Sequence, residues 1–147
     1  MIKELLTNQI FISVMITILI CEIWKFIDHS IRNKKVDWGG LVVTGGMPSS
    51  HATWMCAIAV SIGLLEGFTS SIFFLAAGIT VIVVRDAFGV RRDVDKLAET
   101  VNSIIKQKKL SIQEILKITG HSPVQVVVGI ILGIAGPVII HFVHYAG

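Results

Sequence analysis

Gly45–His51, with the sequence GGMPSSH, is a polar turn that leads directly into an apolar run. Its two glycines loosen the backbone, and Pro48 suits the start of a helix, where its missing N–H costs little. Ser49 or Ser50 can cap that helix, whose first amides and positive dipole end then point at whatever lies above them. With His51 in the first turn, the pattern predicts a phosphate site, although an ordinary cap before a membrane helix has the same features.

A second turn of the same kind, Thr119–Pro123 (TGHSP), opens the last apolar run of the chain. It places His121 just before a predicted helix, much as His51 lies at the start of the earlier one. Two such turns favour a functional site over two unrelated helix caps.

The composition predicts an integral membrane protein with one domain over residues 1–147. The chain is 53% apolar and 16% charged, with a mean hydropathy of +0.77, which is too apolar for a soluble domain of this length. Four apolar runs cover roughly residues 9–26, 52–65, 69–84 and 124–143. The outer two are long enough to span a bilayer, and the inner two are shorter and rich in small residues. We therefore expect an all-α bundle of about four transmembrane helices, although a soluble core helix is the alternative for the inner two.

The charge distribution predicts the orientation of this bundle. Every basic residue except Lys3 lies in residues 25–35 or 85–117, which the four predicted spans leave on the same side. The positive-inside rule makes that side cytoplasmic and puts both termini outside. We expect a multi-pass protein of the inner (plasma) membrane.

The longer basic segment begins with a cluster of charged residues. Asp86, Arg91, Arg92 and Asp93 lie just after the third apolar run. The planar guanidinium group suits bidentate phosphate binding, while membrane anchoring with local ion pairs is the simpler interpretation. Lys35, in the shorter basic segment, has the same two interpretations: it reaches an anionic headgroup, or it anchors a solvated loop.

The rest of the basic segment predicts two helices. Apolar residues from Val94 to Ile105 recur on one helical face, which indicates a cytoplasmic amphipathic helix lying against the membrane. Ser111–Glu114 (SIQE) has the pattern of a capping box and predicts a short helix that ends near Gly120.

The predicted topology brings His51, the Arg91–Arg92 pair and His121 to one interface of the membrane. There one histidine can attack phosphorus while the other protonates the leaving oxygen, and the arginines can stabilise the charge on the phosphoryl oxygens. Such a site needs no metal and no cofactor.

Three motifs then resemble a known family. They are Gly45–His51 (GGMPSSH), Asp86–Arg92 (DAFGVRR) and Gly120–Gly129 (GHSPVQVVVG). They resemble the divergent branch of the type 2 phosphatidic acid phosphatase family, which is related to vanadium-dependent haloperoxidases. The resemblance implies a membrane helical bundle that dephosphorylates lipid phosphates without a metal.

The resemblance also implies roles for individual residues. His121 looks like the nucleophile that forms a phosphohistidine, and His51 looks like the acid that protonates the leaving group. The expected phosphate-binding residues are Ser49, Ser50, Arg91, Arg92 and Gly120.

This chain departs from the family pattern near the expected nucleophile. Gln125 stands four residues after His121, where the family has a carboxylate, and Ile115 stands where the main branch has an arginine. An amide can orient an imidazole through a hydrogen bond, but it stabilises an imidazolium less well than a carboxylate does. A non-catalytic lipid-binding protein that retains the fold is therefore an alternative.

A second enzyme class uses other residues. Asp86 and Asp93 are seven residues apart and could, with Asp95, hold Mg²⁺ for phosphoalcohol transfer. In either case we expect the partners to be a membrane lipid phosphate and the bilayer, with no nucleic acid. Gly-rich helix faces also favour a homodimer.

Overall fold

The described residues form helices joined by turns and short irregular segments. The computed structural model describes residues 2–34, 36, 46–109, 111–115 and 122–145. Within them the helices are α1 (Ile2–Thr7), α2 (Gln9–Asn33), α3 (Ser50–Glu66), α4 (Ser71–Phe88), α5 (Val90–Gln107) and α6 (Pro123–Tyr145), and no strand occurs in these ranges. The predicted all-helical class is confirmed, and each of the four apolar runs lies almost entirely within one helix.

Helix α3 is the centre of the bundle, where it packs against α2, α4 and α6. Close contact with α6 depends on glycine, because a Cβ added at Gly129 would lie 2.6 Å from the carbonyl oxygen of Ser49. A Cβ at Gly133 would lie 2.7 Å from the carbonyl oxygen of Thr53. The two backbones therefore approach more closely than any larger residue would allow, as small residues permit in membrane helix pairs.

Two of the described helices are long and apolar enough to cross a membrane. They are α2 over Gln9–Ile31 and α6 over Pro123–His144, with mean hydropathies of 2.2 and 2.5. Only 33% and 28% of the residues in these apolar windows are buried, whereas a core helix of a soluble protein is mostly buried. Helices α3 and α4 are shorter, with 17 and 18 residues, and four spans remain a prediction.

Helices α3 and α4 form the hairpin that the short link between their apolar runs predicts. The chain leaves α3 at Gly67, whose φ of +92° is strained for residues with a side chain. Ser70 then caps α4, because its hydroxyl accepts a hydrogen bond from the Phe73 amide at 3.3 Å. Farther along, the Thr80 hydroxyl lies within hydrogen-bonding distance of two carbonyl oxygens, that of Met55 in α3 at 3.1 Å and that of Ala76 in its own helix at 2.7 Å.

The amphipathic helix α5 follows α4 after Gly89, and its main helix contact is with α4. Ala98 and Ile105 are buried, whereas Leu97 and Ile104 leave much of their apolar surface exposed. The sequence therefore located this helix correctly, and its predicted position against the membrane stays a prediction.

The predicted helix that starts at Ser111 is wrong over residues 111–115, which are not helical. The Asn102 side chain holds this segment instead: its amide nitrogen donates to the Ile115 carbonyl oxygen, and its amide oxygen accepts from the Ile115 N–H, each at 2.8 Å. Glu114, expected to complete a capping box, forms an ion pair with Lys106 at 3.2 Å. The remainder of that predicted helix lies outside the described residues.

Candidate functional site

Four helix termini meet at one end of the bundle, which we call the motif end: the C-terminal parts of α2 and α4 and the first turns of α3 and α6. Ala52, Ala87 and Val126 form a buried cluster there, one residue from each of α3, α4 and α6. The Ser49 amide also donates to the carbonyl oxygen of Gln125 at 2.9 Å. The structure thus brings the residues that flank the two predicted turns into direct contact.

The turn before α3 ends in a buried polar cradle. Gly46 has a φ of +97°, the Met47–Pro48 peptide bond is cis, and Ser49 is the N-cap residue in an extended conformation. The Ser49 side chain is fully buried, and its hydroxyl has no hydrogen-bond partner among the described residues. A buried hydroxyl without a partner is costly, so it indicates a place where a bound group would complete the hydrogen bonding. The first amides of α3, which have no partner within the helix, lie in the same turn.

Lys25, a residue that sequence reasoning did not assign to the site, reaches this cradle from α2. Its side chain is only 8% exposed, and its ammonium group donates to the Ser50 hydroxyl at 2.9 Å. The same group forms an ion pair with Glu22, three residues earlier in α2, at 3.5 Å. We use the term α3 cradle for Lys25, Ser49, Ser50 and the first-turn amides of α3.

One sequence signal could have identified Lys25. The buried residues of α2 recur at helical spacing, and Lys25 continues that series four residues after Cys21: Ser13, Val14, Thr17, Ile18, Cys21, Lys25. A lysine on the buried face of a membrane helix is costly and is therefore a functional candidate. The charge distribution alone identifies Lys25 only as one of the basic residues that orient the chain in the membrane.

Thr53, one turn into α3, is a second residue that the sequence analysis missed. Its buried hydroxyl lies within hydrogen-bonding distance of the carbonyl oxygens of Ser49 and Gly129, at 3.0 and 3.1 Å. The same hydroxyl oxygen accepts a hydrogen bond from the Cys21 thiol, with a sulfur–oxygen distance of 3.6 Å. Thr53 therefore joins α2, α3 and α6 directly below the cradle and holds Ser49 in place.

His51 occupies the first turn of α3, as predicted, and its side chain is exposed. It lines an open groove of about 400 Å³ between α3 and α4, and the other lining residues are Ser50, Trp54, Met55 and Val83. The imidazole therefore lies at the mouth of a groove that begins beside the cradle.

Gln125 forms a reciprocal cap with Ser122 at the start of α6. The Ser122 amide donates to the side-chain oxygen of Gln125 at 2.8 Å, and the Gln125 amide donates to the Ser122 hydroxyl at 3.3 Å. This is the capping-box arrangement, with Pro123 at the first helical position. An amide oxygen has two lone pairs, so the cap leaves it able to accept a further hydrogen bond. The predicted interaction of Gln125 with His121 stays a prediction.

Several predicted site residues fall outside what the structure describes. His121, Gly120 and Lys35 lie outside the described residues. Arg91 and Arg92 belong to the first turn of α5, but their side chains are also outside the description. Their predicted roles in phosphate binding and catalysis therefore remain predictions.

The aspartates of the alternative metal site lie between α4 and α5. Asp86 and Asp93 line an open groove of about 540 Å³ together with Arg85. Asp93 forms an ion pair with Lys96 at 3.4 Å, and both side chains are largely exposed. Among the residues the structure describes, no three His, Cys, Asp or Glu side chains come together as a metal would require. The predicted binding of Mg²⁺ by these aspartates stays a prediction.

Comparison with known proteins covers most of the chain. Residues 6–136 match the family described as the divergent PAP2 family. The chain is also 32% identical over 149 aligned positions to a protein of Bacillus subtilis (strain 168) named "Uncharacterized membrane protein YuiD". That alignment covers 89% of this chain and 92% of the relative. No solved structure matches the chain.

Proposed function

Because the chain belongs to the divergent PAP2 family, we propose that it is a membrane lipid phosphatase that hydrolyses a lipid phosphomonoester without a metal. The observation that supports the proposal most directly is the α3 cradle. It combines a buried ammonium group, a buried hydroxyl without a described partner and the positive end of a helix. All three features favour a bound anion such as a phosphate.

In the proposed reaction, the cradle holds the phosphate while His121 attacks phosphorus. A nitrogen–phosphorus bond forms as the bond between phosphorus and the lipid oxygen breaks, and His51 gives its proton to that oxygen. Arg91 and Arg92 stabilise the negative charge on the remaining phosphoryl oxygens. Water then attacks the phosphorus atom of the phosphohistidine and loses a proton to His51. The nitrogen–phosphorus bond breaks, His121 is regenerated and inorganic phosphate is released.

In the proposed topology, the protein crosses the inner (plasma) membrane four times and acts at its cytoplasmic face. The apolar side chains that α4 exposes support a membrane position for this shorter helix as well; they include Phe74, Leu75, Ile79, Val81 and Ile82. With four spans, the positive-inside rule puts the motif end in the cytoplasm and both termini outside. A cytoplasmic site suits an intermediate of phospholipid synthesis, such as phosphatidic acid or phosphatidylglycerophosphate.

A second candidate function is lipid binding without catalysis. It is favoured by Gln125, whose side-chain oxygen already completes the cap of α6 with Ser122. If the amide does no more than cap the helix, the imidazole of His121 lacks the charged partner that its family relatives have. The α3 cradle would then bind a lipid phosphate and leave it intact.

Phosphate release from purified protein in detergent tests both candidates. Phosphatidic acid and phosphatidylglycerophosphate are the substrates, each with and without EDTA. We expect release that EDTA does not affect, and a loss of at least about 100-fold in His51→Ala and in His121→Ala, as is typical when general acid–base or nucleophilic groups are removed. The matched control is His144→Ala, at the other end of α6, which should retain the wild-type rate.

Each other result has a definite meaning. Release that EDTA abolishes would overturn the metal-independent mechanism, and activity that survives in His121→Ala would overturn the role of that residue. Binding of phosphatidic acid with no release of phosphate would favour the non-catalytic candidate.

A further inference from the structure

The groove beside His51 has two chemically different ends. Its mouth is formed by Ser50 and His51 in the first turn of α3, and the Ser50 hydroxyl accepts the hydrogen bond from Lys25. One helical turn farther along α3, at four-residue spacing, Trp54 and Met55 form an apolar wall. Val83 of α4 closes the opposite side. The described lining of the groove is therefore mostly apolar, and Ser50 at its mouth connects it to the Lys25 ammonium group.

The groove is open on one side, and its rim is continuous with apolar surface. Trp54 is 41% exposed, and α4 exposes Ile79 and Ile82 near Val83 in sequence. The Thr80 hydroxyl lies 3.1 Å from the Met55 carbonyl oxygen of α3 and 2.7 Å from the Ala76 carbonyl oxygen of its own helix, so α3 and α4 are in contact along this stretch. A long, flexible apolar group could enter the groove from its open side.

We propose that this groove holds a hydrocarbon chain of the lipid whose phosphate occupies the α3 cradle. The inference rests on the proposed function and identifies the substrate as a phosphate ester with a long apolar chain. Charge complementarity identifies the occupant. An anionic headgroup in the α3 cradle would lie beside Lys25, whose hydrogen-bond partner Ser50 also lines the groove. The chain that follows the headgroup would then meet Trp54, Met55 and Val83. A water-soluble phosphate ester would fill the cradle and leave the apolar wall uncovered.

The groove should affect the orientation of the bound lipid more than the affinity of the protein for it. In a bilayer the alternative environment of the chain is other lipid, so entry into the groove removes little apolar surface from water. A chain that lies along α3 does, however, fix the depth and direction of the ester oxygen relative to His51. Alignment of the reacting groups raises the rate of the chemical step, so the groove should influence kcat more than KM.

A pair of matched variants on α4 tests this inference. Val83→Phe fills the groove, whereas Val81→Phe makes the same change at a side chain that is 67% exposed and does not line the groove. Each variant is assayed with dioleoyl phosphatidic acid and with a soluble ester, phenyl phosphate. We expect Val83→Phe to lower kcat for the long-chain lipid about tenfold and to leave the soluble ester unchanged. Val81→Phe should match the wild type with both substrates.

The results separate this inference from the proposed function. Equal losses on both substrates, or equal effects of the two variants, would overturn the groove while phosphatase activity stands. If the wild type hydrolyses neither substrate, the proposed function fails, and binding then tests the groove.

For the binding test, Trp24→Phe and Trp38→Phe leave Trp54 as the single fluorophore. Phosphatidic acid with brominated chains should quench it saturably in detergent, several-fold more strongly than brominated phosphatidylcholine does. Val83→Phe should weaken this quenching several-fold, whereas Val81→Phe should not. Identical quenching in the two variants would overturn the inference.

Discussion

At the scale of single residues, Lys25 places a buried positive charge at the motif end. Its ammonium group is buried, and its described partners are one carboxylate and one hydroxyl, Glu22 and Ser50. A buried ammonium group is costly unless ion pairs and hydrogen bonds compensate for lost hydration. An ammonium group has three N–H donors, and these two described partners leave one donor that could bind an additional anion. A phosphate in the α3 cradle would supply that partner.

We predict that Lys25→Met lowers kcat/KM for phosphatidic acid by about 10- to 100-fold, since hydrogen bonds to charged groups are worth about 1.5–3 kcal/mol. The control is Lys34→Met, at the exposed C-cap of α2, which should have wild-type kinetics. Phosphate release and thermal unfolding are measured on the same preparations. Normal turnover with a lowered unfolding temperature would show that Lys25 is structural only.

Gln125 is the residue whose replacement should increase activity. A glutamate at this position would preserve the capping box with Ser122, because the motif accepts either side chain. Its negative charge would also offset the positive charge that develops on His121.

We therefore predict that Gln125→Glu raises the rate of hydrolysis about tenfold, which corresponds to roughly 1.4 kcal/mol. The control is Gln113→Glu, which adds the same charge at an exposed position of the 111–115 segment. An unchanged rate in Gln125→Glu would mean that another acid, such as Asp86 or Asp93, already stabilises the imidazolium.

At the scale of helices, the contact between α3 and α6 holds the motif end together. Gly129 lies against the Ser49 backbone, and its own carbonyl oxygen is near the Thr53 hydroxyl. Any side chain at Gly129 would push the N-cap of α3 away from α6 and disturb the cradle. Gly78 is different, because an added Cβ there would meet nothing within 4 Å.

We predict that Gly129→Ala lowers the free energy of unfolding by about 1–3 kcal/mol, the usual cost of overpacking. Gly78→Ala should be neutral or raise it by up to about 1 kcal/mol, because alanine is the better helix former. Thermal unfolding in detergent measures both. If the two variants have equal stability, the described approach of α3 and α6 is wrong.

At the scale of the whole molecule, the proposed function depends on the orientation in the membrane. Lys3 and Lys108 lie on opposite sides of the proposed four-span bundle. The two native cysteines, Cys21 and Cys56, are buried and should contribute little labelling.

We predict that an impermeant thiol reagent labels Lys3→Cys in intact cells and labels Lys108→Cys only after the membrane is permeabilised. The wild-type chain measures the background from the native cysteines. Labelling of Lys108→Cys from outside would reverse the orientation and would remove the argument for a cytoplasmic substrate.

Local pattern was enough to predict much of this protein. The helical class, the approximate bounds of the four apolar helices and the α3–α4 hairpin follow from runs of apolar residues and the short links between them. The amphipathic character of α5 follows from helical spacing. Each of these features depends on residues that are close in sequence, where the geometry of the α-helix is the same in every protein.

Other features were decided only by tertiary contacts. The burial of Lys25 depends on the arrival of the turn before α3, and the hydrogen bond between Ser49 and Gln125 depends on α6 packing against α3. Residues 111–115 likewise form a non-helical segment instead of the predicted helix, because the Asn102 side chain binds the backbone of Ile115. The partners in these contacts are separated by 13 to 76 residues. No helical period relates residues so far apart, and a polar group finds its partner only when the helices that carry the two have packed.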